Sequence, residues 1–320
     1  MQSGSKPIYQ NVSASLLALM LFESTVHGQE TINSFKDCST CPEMVWLPTG
    51  KFIMGEPEAE SQARRVGWGG PPIEVRIKMQ FAMARTEITR DQYESFVNET
   101  KKETTAQCKT ILPSAQSISA PPTWRDPLWP SGEKQAGNEP VVCIGYEDTQ
   151  AYIIWLNNKA KGRHRYALPS ESQFEYAARA GTTSSLPWPG ELAQACAYAN
   201  LADNRFKTSG SSLPSVNCDD GFAYTAPVGS YPANAFGLHD MLGNVWEWVA
   251  DCGSQQDLSA YPRDGSALVQ ITQACTSRAT RGGSFVSNDW WMRVSARGGA
   301  HDAATTFNPA LGFRVIATAQ

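Results

Sequence analysis

Prolines, glycines and tryptophans divide this chain into segments that are too short for long helices or strands. Its 320 residues include 25 glycines, 20 prolines and 10 tryptophans, and turn-forming strings such as "PPTWRDPLWP" separate the few periodic stretches. No internal repeat and no shift in composition marks a second domain. The pattern predicts a single α+β domain with little regular secondary structure, which needs disulfides or bound cations for additional stability.

Three stretches begin with residues that cap a helix. Thr89 and Ser170 are each followed three residues later by glutamine, which is the spacing of a capping box, and the second of these helices is expected to end at Gly181. Between them, Asp148 is positioned to cap a helix that ends at Gly162. The sequence therefore predicts three short helices.

Two stretches have the pattern of strands. Apolar and charged residues alternate strictly from Ile73 to Ile77, which predicts a strand with one buried face. The segment Met44–Gly55 contains two short apolar runs separated by "PTG", which predicts a β-hairpin.

The eight cysteines indicate disulfides. "CSTC" (38–41) has the spacing of a redox or zinc pair, but no second CxxC and no histidine at ligand spacing follows it. Disulfides formed in an oxidising compartment are the simpler interpretation. Proximity along the chain suggests a hypothetical connectivity for the other six cysteines: Cys108 with Cys143, Cys196 with Cys218, and Cys252 with Cys275.

The N-terminal segment resembles an export signal. "SLLALMLF" (15–22) has the length of the apolar part of a signal peptide and is too short to cross a bilayer, which takes about 20 apolar residues. The alternative, a buried N-terminal helix, is disfavoured because the following residues are polar and unpatterned. We therefore expect three segments along the chain: a signal peptide over 1–28, a leader over 29–42 and the domain over 43–318.

Charge restricts the choice of partners. The formal net charge is −4, and the few clusters of lysine and arginine are short. Such a chain has no basic field to bind phosphate backbones, so nucleic acid is not an expected partner. We expect a monomer in the periplasm or outside the cell, without stable membrane insertion, that binds a peptide or a small molecule.

Several strings carry a family resemblance. "MVWLPTGKFIMG", "TEITRDQYESFV", "YALPSESQFEYAARAG", "FGLHDMLGNVWEW", "RGGSF" and "LGFRV" occur in the order and spacing of the formylglycine-generating enzyme family, also called sulfatase-modifying factors. The resemblance extends from Met44 to Val315. It implies an elaborated C-type-lectin-like fold that is stabilised by calcium. The family includes the C-terminal domain of ergothioneine synthase and a periplasmic enzyme of pyoverdine maturation.

The string "DMLGNVWEW" also has the chemistry of a calcium site. Calcium takes several oxygen ligands, which carboxylates and turn carbonyls supply. The resemblance implies one site formed by Asp240, Gly243, Val245 and Glu247. It implies a second site formed by Asn200, Leu201, Asp220 and Phe222. The alternative is that Asn244 and Glu247 only cap and bridge loops around buried tryptophans.

The catalytic cysteines of the family are missing. In the relatives that the motifs resemble, two cysteines after the RGGS-type turn bind copper(I), activate oxygen and oxidise a cysteine of a sulfatase peptide. Here the first position falls on Ser287 and the second near Trp291 or Met292, and no cysteine follows Cys275. A serine hydroxyl cannot replace a thiolate as a copper(I) ligand, so copper is not expected.

Other polar and aromatic residues of the same region are candidates for binding a ligand. Hydroxyls can form hydrogen bonds, indoles can stack on a ring or a sugar, and guanidinium groups can bind a carboxylate, although each residue can equally pack inside the protein. The candidates are Ser284, Ser287, Trp290, Trp291, Arg293, Arg297 and His301.

No hydrolase, zinc-protease or nucleotide-binding motif occurs in the sequence. An iron site of two histidines and a carboxylate would draw on His164, His239 and His301. We expect His239 to pack and His164 to lie in a solvated connection. Two functions therefore stay open: an exported oxidoreductase that modifies a peptide or a secondary metabolite, and a non-catalytic, calcium-stabilised module that binds a peptide or a glycan.

Overall fold

A computed structural model describes most of the chain beyond its N-terminal segment. The described residues are 1, 4, 33–56, 72–104, 108, 121–211, 213–253, 258–268, 275, 277–298 and 308–320. The expected signal peptide and His301 lie outside them. No helix among the described residues is long and apolar enough to cross a membrane.

The α-helices that the structure describes are short and lie in the first two thirds of the chain. The α-helices are α1 (Arg90–Thr100), α2 (Tyr146–Ala160), α3 (Glu171–Arg179) and α4 (Asn204–Thr208), and two 3₁₀ turns cover Leu192–Ala197 and Leu258–Ala260. Both predicted capping boxes are confirmed: the backbone N–H groups of Gln92 and Gln173 donate to the hydroxyls of Thr89 and Ser170.

The prediction for α2 was wrong at its first turn. The helix begins after Gly145, and the Asp148 carboxylate accepts the backbone N–H of Gly145 at 3.0 Å. Asp148 thus lies three residues inside the helix, where an acidic side chain compensates the unpaired N–H groups of the first turn. Gly145 itself takes the extended conformation at the cap position.

The strands form three sheets. They are β1 (Ser34–Phe35), β2 (Met44–Trp46), β3 (Gly50–Met54), β4 (Ile73–Ile77), β5 (Ala82–Ala84), β6 (His164–Ala167), β7 (Trp246–Cys252), β8 (Arg278–Arg281), β9 (Arg297–Gly298), β10 (Leu311–Gly312) and β11 (Ile316–Ala319). The sheets have the orders β1-β2-β5-β11-β6, β10-β7-β8-β9 and β3-β4. Only the β10–β7 pair is parallel among these described strands. Short helices and mainly antiparallel sheets occur together, which confirms the mixed α+β class with little regular secondary structure.

Strands β2 and β3 do not form the predicted hairpin. β2 pairs with β1 and β5, whereas β3 pairs antiparallel with β4, from Gly50 opposite Ile77 to Met54 opposite Ile73. The "PTG" connection therefore transfers the chain between two sheets. The alternation in β4 is confirmed, because its apolar residues are buried and its charged residues are exposed. β1 lies within residues 29–42, the expected leader, and extends the five-stranded sheet.

Four disulfides connect the described loops. The three hypothetical pairings are confirmed, and Cys38 pairs with Cys41. The apolar side chains gather in two large buried clusters: one lies around Phe96, Tyr152 and Trp248, and the other around Phe174 and Met292.

Candidate functional site

The turn after β8 carries Ser284 and Ser287, two of the residues that the sequence predicts as candidates for binding a ligand. Gly282 and Gly283 have φ angles of +98° and +75°, in the left-handed region that favours glycine. A Cβ on Gly282 would lie 3.3 Å from Phe174 and 3.4 Å from the carbonyl oxygen of Met241. Close packing under the turn thus adds a second reason for glycine.

Two serines close this turn. The Ser284 backbone N–H donates to the Ser287 hydroxyl at 3.0 Å, and the Ser287 N–H donates to the Ser284 carbonyl at 2.8 Å. Both side chains are buried, at 0% and 2% exposure. The hydroxyl of Ser287 therefore completes the turn at the position where the resemblance places the first copper thiolate.

The adjacent tryptophans differ in exposure. Trp290 is 40% exposed, whereas Trp291 is partly buried and contacts the edge of Trp246 with ring centroids 5.7 Å apart. They lie in a turn rather than in a strand. Trp290 is accordingly the aromatic surface that this region offers to a ligand.

The two candidate arginines bind carboxylates of the protein itself. Arg293 pairs with Glu56, and Arg297 forms a two-point contact with Glu171 at 2.7 and 2.9 Å. Both guanidinium groups are 2% exposed. In this structure both arginines hold the neighbouring turns through these ion pairs. Their positions do not support the prediction that they bind a substrate carboxylate.

A buried ionic network lies beneath the turn. Arg281, the last residue of β8, pairs with Glu175 of α3, and its guanidinium also donates to the Ser295 carbonyl at 3.0 Å. Although burial opposes ionisation, the charge and hydrogen bonds of Arg297 hold the pKa of Glu171 below its ordinary value. The network joins α3 to the residues that follow the turn, so it fixes the turn's position.

The first expected calcium position contains more acid than base. Three buried carboxylates, those of Glu87, Asp240 and Glu247, lie around the single guanidinium of Arg314. Arg314 Nε donates to both Glu247 oxygens at 2.9 and 2.7 Å. Oε2 of Glu87 has no hydrogen-bond partner among the described residues, but it lies 4.0 Å from a guanidinium nitrogen of Arg314. Burial, together with the charge of Asp240, raises the pKa of Glu87 well above its usual range.

At the first expected calcium position, two backbone segments lie close together. Asp240 and Gly243 have φ angles of +54° and +89°, and a Cβ on Gly243 would lie 2.4 Å from the Asn200 carbonyl oxygen. One oxygen of Asp240 accepts the Gly229 N–H at 2.6 Å. Three buried carboxyl groups, one of which has an oxygen without a hydrogen bond, are the type of ligand that a divalent cation takes, although Arg314 already binds Glu247.

The second expected calcium position has an unused oxygen. Asn200 is fully buried, and its Oδ1 has no hydrogen-bond partner among the described residues. The Asp220 carboxylate accepts the N–H groups of Leu201 at 2.8 Å and Phe222 at 2.9 Å. Burial raises the pKa of Asp220 to about 7. These oxygen donors fit the preference of calcium.

Asp220 also lies near two further groups. Its carboxylate, that of Asp203 and the sulfur of Cys196 lie within 4.8 Å of one another. Cys196 is bonded to Cys218, so its sulfur cannot act as a thiolate ligand. The arrangement therefore offers oxygen ligands rather than a soft metal site.

The histidines that the structure describes have separate partners. His164 lies on β6, where its Nδ1 is 3.0 Å from the Asp37 carboxylate and its ring stacks on Phe35; the expectation of a solvated connection was wrong. His239 Nδ1 is 2.7 Å from the Tyr231 carbonyl oxygen, so this histidine packs as expected. With His301 outside the described residues, the iron hypothesis stays a prediction.

The sequence reasoning missed a cavity beside Asp240. It has a volume of about 150 Å³ and aromatic and proline walls that include Trp188, Tyr198 and Pro232. The Trp188 and Tyr198 rings stack with centroids 5.5 Å apart. The only sequence signal for this cavity is the string "LPWPG" around Trp188, whose prolines and glycine are equally typical of a turn.

Glu87 and Arg314 were also missed, although a signal was present. Arg314 lies in "LGFRV", where a single charge stands among apolar residues, and Glu87 lies in "TEIT", next to the apolar Ile88. A charge in such a setting is almost always paired when it is buried.

Comparisons with known proteins show which family this chain resembles. The sulfatase-modifying factor enzyme 1-like domain matches residues 29–319. The formylglycine-generating enzyme of Mus musculus is 31% identical over 241 residues, which cover 65% of this chain and 58% of that enzyme. The inactive Cα-formylglycine-generating enzyme 2 of the same species is 29% identical over 306 residues, covering 87% of this chain and 86% of the relative.

A solved structure and an oxygenase extend the comparison. The structure of PvdO from Pseudomonas aeruginosa has a TM-score of 0.73 and 32% identity, covering 89% of this chain and 98% of PvdO. The hercynine oxygenase of Mycolicibacterium smegmatis is 25% identical over 290 residues, which cover 80% of this chain and 57% of that enzyme. With its fold, its glycine turn and its buried acids, the chain belongs to the sulfatase-modifying factor (formylglycine-generating enzyme) family.

Proposed function

We propose that this protein is an exported oxidoreductase that modifies a peptide or a secondary metabolite without the copper-dithiolate site of its family. The observation that carries the proposal is the turn from Gly282 to Ser287. It keeps the glycines and Ser284 of the family motif but has a buried hydroxyl at the thiolate position.

The residues present do not fit copper(I). Ser287 offers a hard oxygen that already accepts a backbone N–H, and the second position is near the indole of Trp291 or the thioether of Met292. Copper(I) prefers thiolate and thioether sulfur, and a single thioether does not form a dithiolate site. No step of the proposed reaction therefore passes through copper bound at this turn.

What the chain itself supplies is a binding surface on a rigid support. Trp290 offers an exposed ring on which a planar or sugar group can stack. The ion pairs of Arg293 and Arg297 hold the surrounding turns, which keeps such a surface in one geometry. The similarity to a hercynine oxygenase supports an oxidative reaction.

Export and calcium belong to the same proposal. Four disulfides among the described residues support an oxidising compartment, the periplasm or the exterior. Calcium would be held by two groups of residues: Asp240, Gly243, Val245 and Glu247 in one, and Asn200, Leu201, Asp220 and Phe222 in the other. It would supply positive charge and link loops, with no part in the chemistry.

The test measures oxygen uptake and product mass for the purified protein. With a cysteine-containing sulfatase peptide and added copper or iron, we expect no formylglycine in the mass spectrum. Formylglycine formed under these conditions would contradict the importance of the missing thiols. With metabolite and peptide fractions of the producing cell, we expect oxygen uptake that Trp290→Ala reduces at least tenfold. Met79→Ala, another exposed apolar residue (71%), is the control and should keep full activity.

A non-catalytic binding module is the alternative. It is favoured by the similarity to a relative that is called inactive, and by the stacked Trp188–Tyr198 pair that lines a cavity. Under this alternative, peptides or glycans change the tryptophan fluorescence of the protein without any oxygen uptake. Comparison of Trp188→Ala with Trp290→Ala would show which aromatic surface binds them.

A further inference from the structure

The disulfide between Cys38 and Cys41 differs from the other three in loop size. Its cysteines are three residues apart, whereas the others are separated by 22 to 35 residues. A disulfide stabilises a fold chiefly by restricting the unfolded chain, and this effect grows with the length of the closed loop. Stabilisation is therefore a weaker explanation for this disulfide than for any of the others.

The two sulfurs also differ in accessibility. Cys38 is partly exposed, whereas Cys41 is 0% exposed and lies in the large core cluster around Phe96. Thiol–disulfide exchange needs one sulfur that an incoming thiolate can reach and a second that leaves. The asymmetric CxxC turn satisfies both conditions.

Thr40 is positioned to stabilise a thiolate at Cys38. Its Oγ1 is 3.6 Å from the Cys38 sulfur. Because a disulfide sulfur has no hydrogen, the threonine hydroxyl is the donor in this contact. After reduction, the same hydroxyl would donate to the thiolate, and hydrogen bonds to the charged form lower the pKa of an acid.

A buried aspartate fixes the backbone next to Cys38. The Asp37 carboxylate accepts the Tyr166 hydroxyl at 2.9 Å and contacts His164 Nδ1 at 3.0 Å. The Arg163 guanidinium donates to the Asp37 carbonyl, the group immediately before Cys38. The same guanidinium lies 3.5 Å from the Asp37 carboxylate, so an arginine–aspartate ion pair fixes the backbone at the residue before Cys38.

From these contacts we propose that Cys38–Cys41 is a thiol–disulfide exchange site whose substrates are dithiols. A thiolate of the substrate attacks the Cys38 sulfur, a mixed disulfide forms, and Cys41 leaves as a thiolate that takes up a proton. The second thiolate of the substrate then attacks the substrate sulfur that is bonded to Cys38 in the mixed disulfide, and Cys38 leaves as a thiolate that takes up a proton. The dithiol is oxidised to a disulfide, and the protein pair gains two electrons and two protons.

The first test titrates the unmodified protein with dithiothreitol and measures alkylated cysteines by mass spectrometry. We expect Cys38 and Cys41 to be alkylated at a dithiothreitol concentration at least tenfold below that needed for the other six cysteines. Alkylation of all eight cysteines in one step would overturn the proposal.

Two variants test the order of attack. Cys41→Ser should form a stable mixed disulfide with 5,5′-dithiobis(2-nitrobenzoate) at Cys38, releasing one equivalent of thionitrobenzoate. Cys38→Ser, the matched control, should react at least tenfold more slowly because its remaining thiol is buried. Equal rates would contradict the assignment of Cys38 as the attacked sulfur.

A third variant tests the role of Thr40. Thr40→Val in the Cys41→Ser background should raise the pH at which the Cys38 thiol becomes half reactive, because the donor to the thiolate is lost. An unchanged pH profile would show that Thr40 has no part in activation.

Discussion

At the scale of single residues, Asp251 shows how burial changes the acid–base behaviour of a side chain. Its two carboxylate oxygens accept the N–H groups of Leu268 and Glu171, both at 2.7 Å. Burial and the neighbouring charge of Glu171 nevertheless raise the pKa of Asp251 to about 7. The folded protein therefore holds a proton here that an unfolded aspartate, with a pKa of about 3.9, releases earlier.

This difference predicts a dependence of stability on pH. Between about pH 4 and pH 7 the folded state binds more protons at Asp251 than the unfolded state, so its contribution to stability is full below pH 4 and is lost as the pH rises to 7. Asp251→Asn should remove this component and flatten the pH dependence of the free energy of unfolding by on the order of a few kcal/mol. Urea unfolding at several pH values measures it.

Asp264 provides a control with the opposite sign. It is exposed, and hydrogen bonds from Ser266 lower its pKa. Asp264→Asn should therefore cause a small loss that is present above about pH 4 and disappears below it. If Asp251→Asn leaves the slope between pH 4 and pH 7 as in the unchanged protein, the raised pKa is wrong.

The structural role of a residue was predictable where the local backbone conformation determines it. It was not predictable where a partner far away in the sequence determines it. The glycines before Ser284 could be recognised as a turn from the sequence. The internal partners of Arg293 and Arg297 could not, because Glu56 and Glu171 are more than a hundred residues away in the chain. For this reason the sequence indicated ligand-binding arginines where the structure has ion pairs.

At the scale of elements, the N-terminus of α3 is held by more than its capping box. The Ser170 hydroxyl accepts the Gln173 N–H at 3.0 Å and donates to the Gly265 carbonyl at 2.7 Å. In contrast, the hydroxyl of Thr89, which caps α1, accepts the Gln92 N–H at 3.2 Å. The two helices therefore permit a comparison of a cap with and without a described tertiary hydrogen bond.

We expect Ser170→Ala to destabilise the protein by about 2 kcal/mol and Thr89→Ala by about 1 kcal/mol, because only the first change also leaves the Gly265 carbonyl without its donor. Chemical denaturation of both variants measures the difference. Equal losses would mean that the bond to Gly265 contributes nothing to stability.

Local patterns predicted α1, α3, most of α2 and one strand, but not α4, because the predicted elements carry clear signals in neighbouring residues. The capping boxes and the alternation in β4 are of this kind. The pairing of β2 with β5, instead of β3, depends on how the sheets assemble. A short connection such as "PTG" is compatible with a hairpin and with a crossing between sheets, so the sequence could not distinguish them.

At the scale of the whole molecule, the fold depends on links between loops. Helices and strands are short, and the disulfides that close loops of 22 to 35 residues each have at least one cysteine in an irregular segment. The family fold was predictable because its motifs extend over nearly the whole chain. The buried charges that meet between those motifs were not, since each motif contributes only one or two of them.

Calcium would add links between loops, including the two loops that the Cys196–Cys218 disulfide already connects. The carboxylate of Asp220 and the unpartnered amide oxygen of Asn200 come from separate loops, and a second group of acids surrounds Asp240. A ligand that binds only the folded state stabilises it by about 2.7 kcal/mol at a hundredfold excess over its dissociation constant. We therefore expect the melting temperature to fall when a chelator removes calcium.

Matched variants separate this effect from ordinary loss of contacts. Asp220→Asn and Asp240→Asn should lower the melting temperature in calcium and have little effect in chelator, because the ion that they bind is then absent. Asp219→Asn changes a neighbouring carboxylate that is exposed and paired with Arg205, so calcium should stabilise this variant as it does the unchanged protein. An equal loss for Asp220→Asn and Asp240→Asn in calcium and in chelator would mean that these carboxylates stabilise the loops through their hydrogen bonds alone.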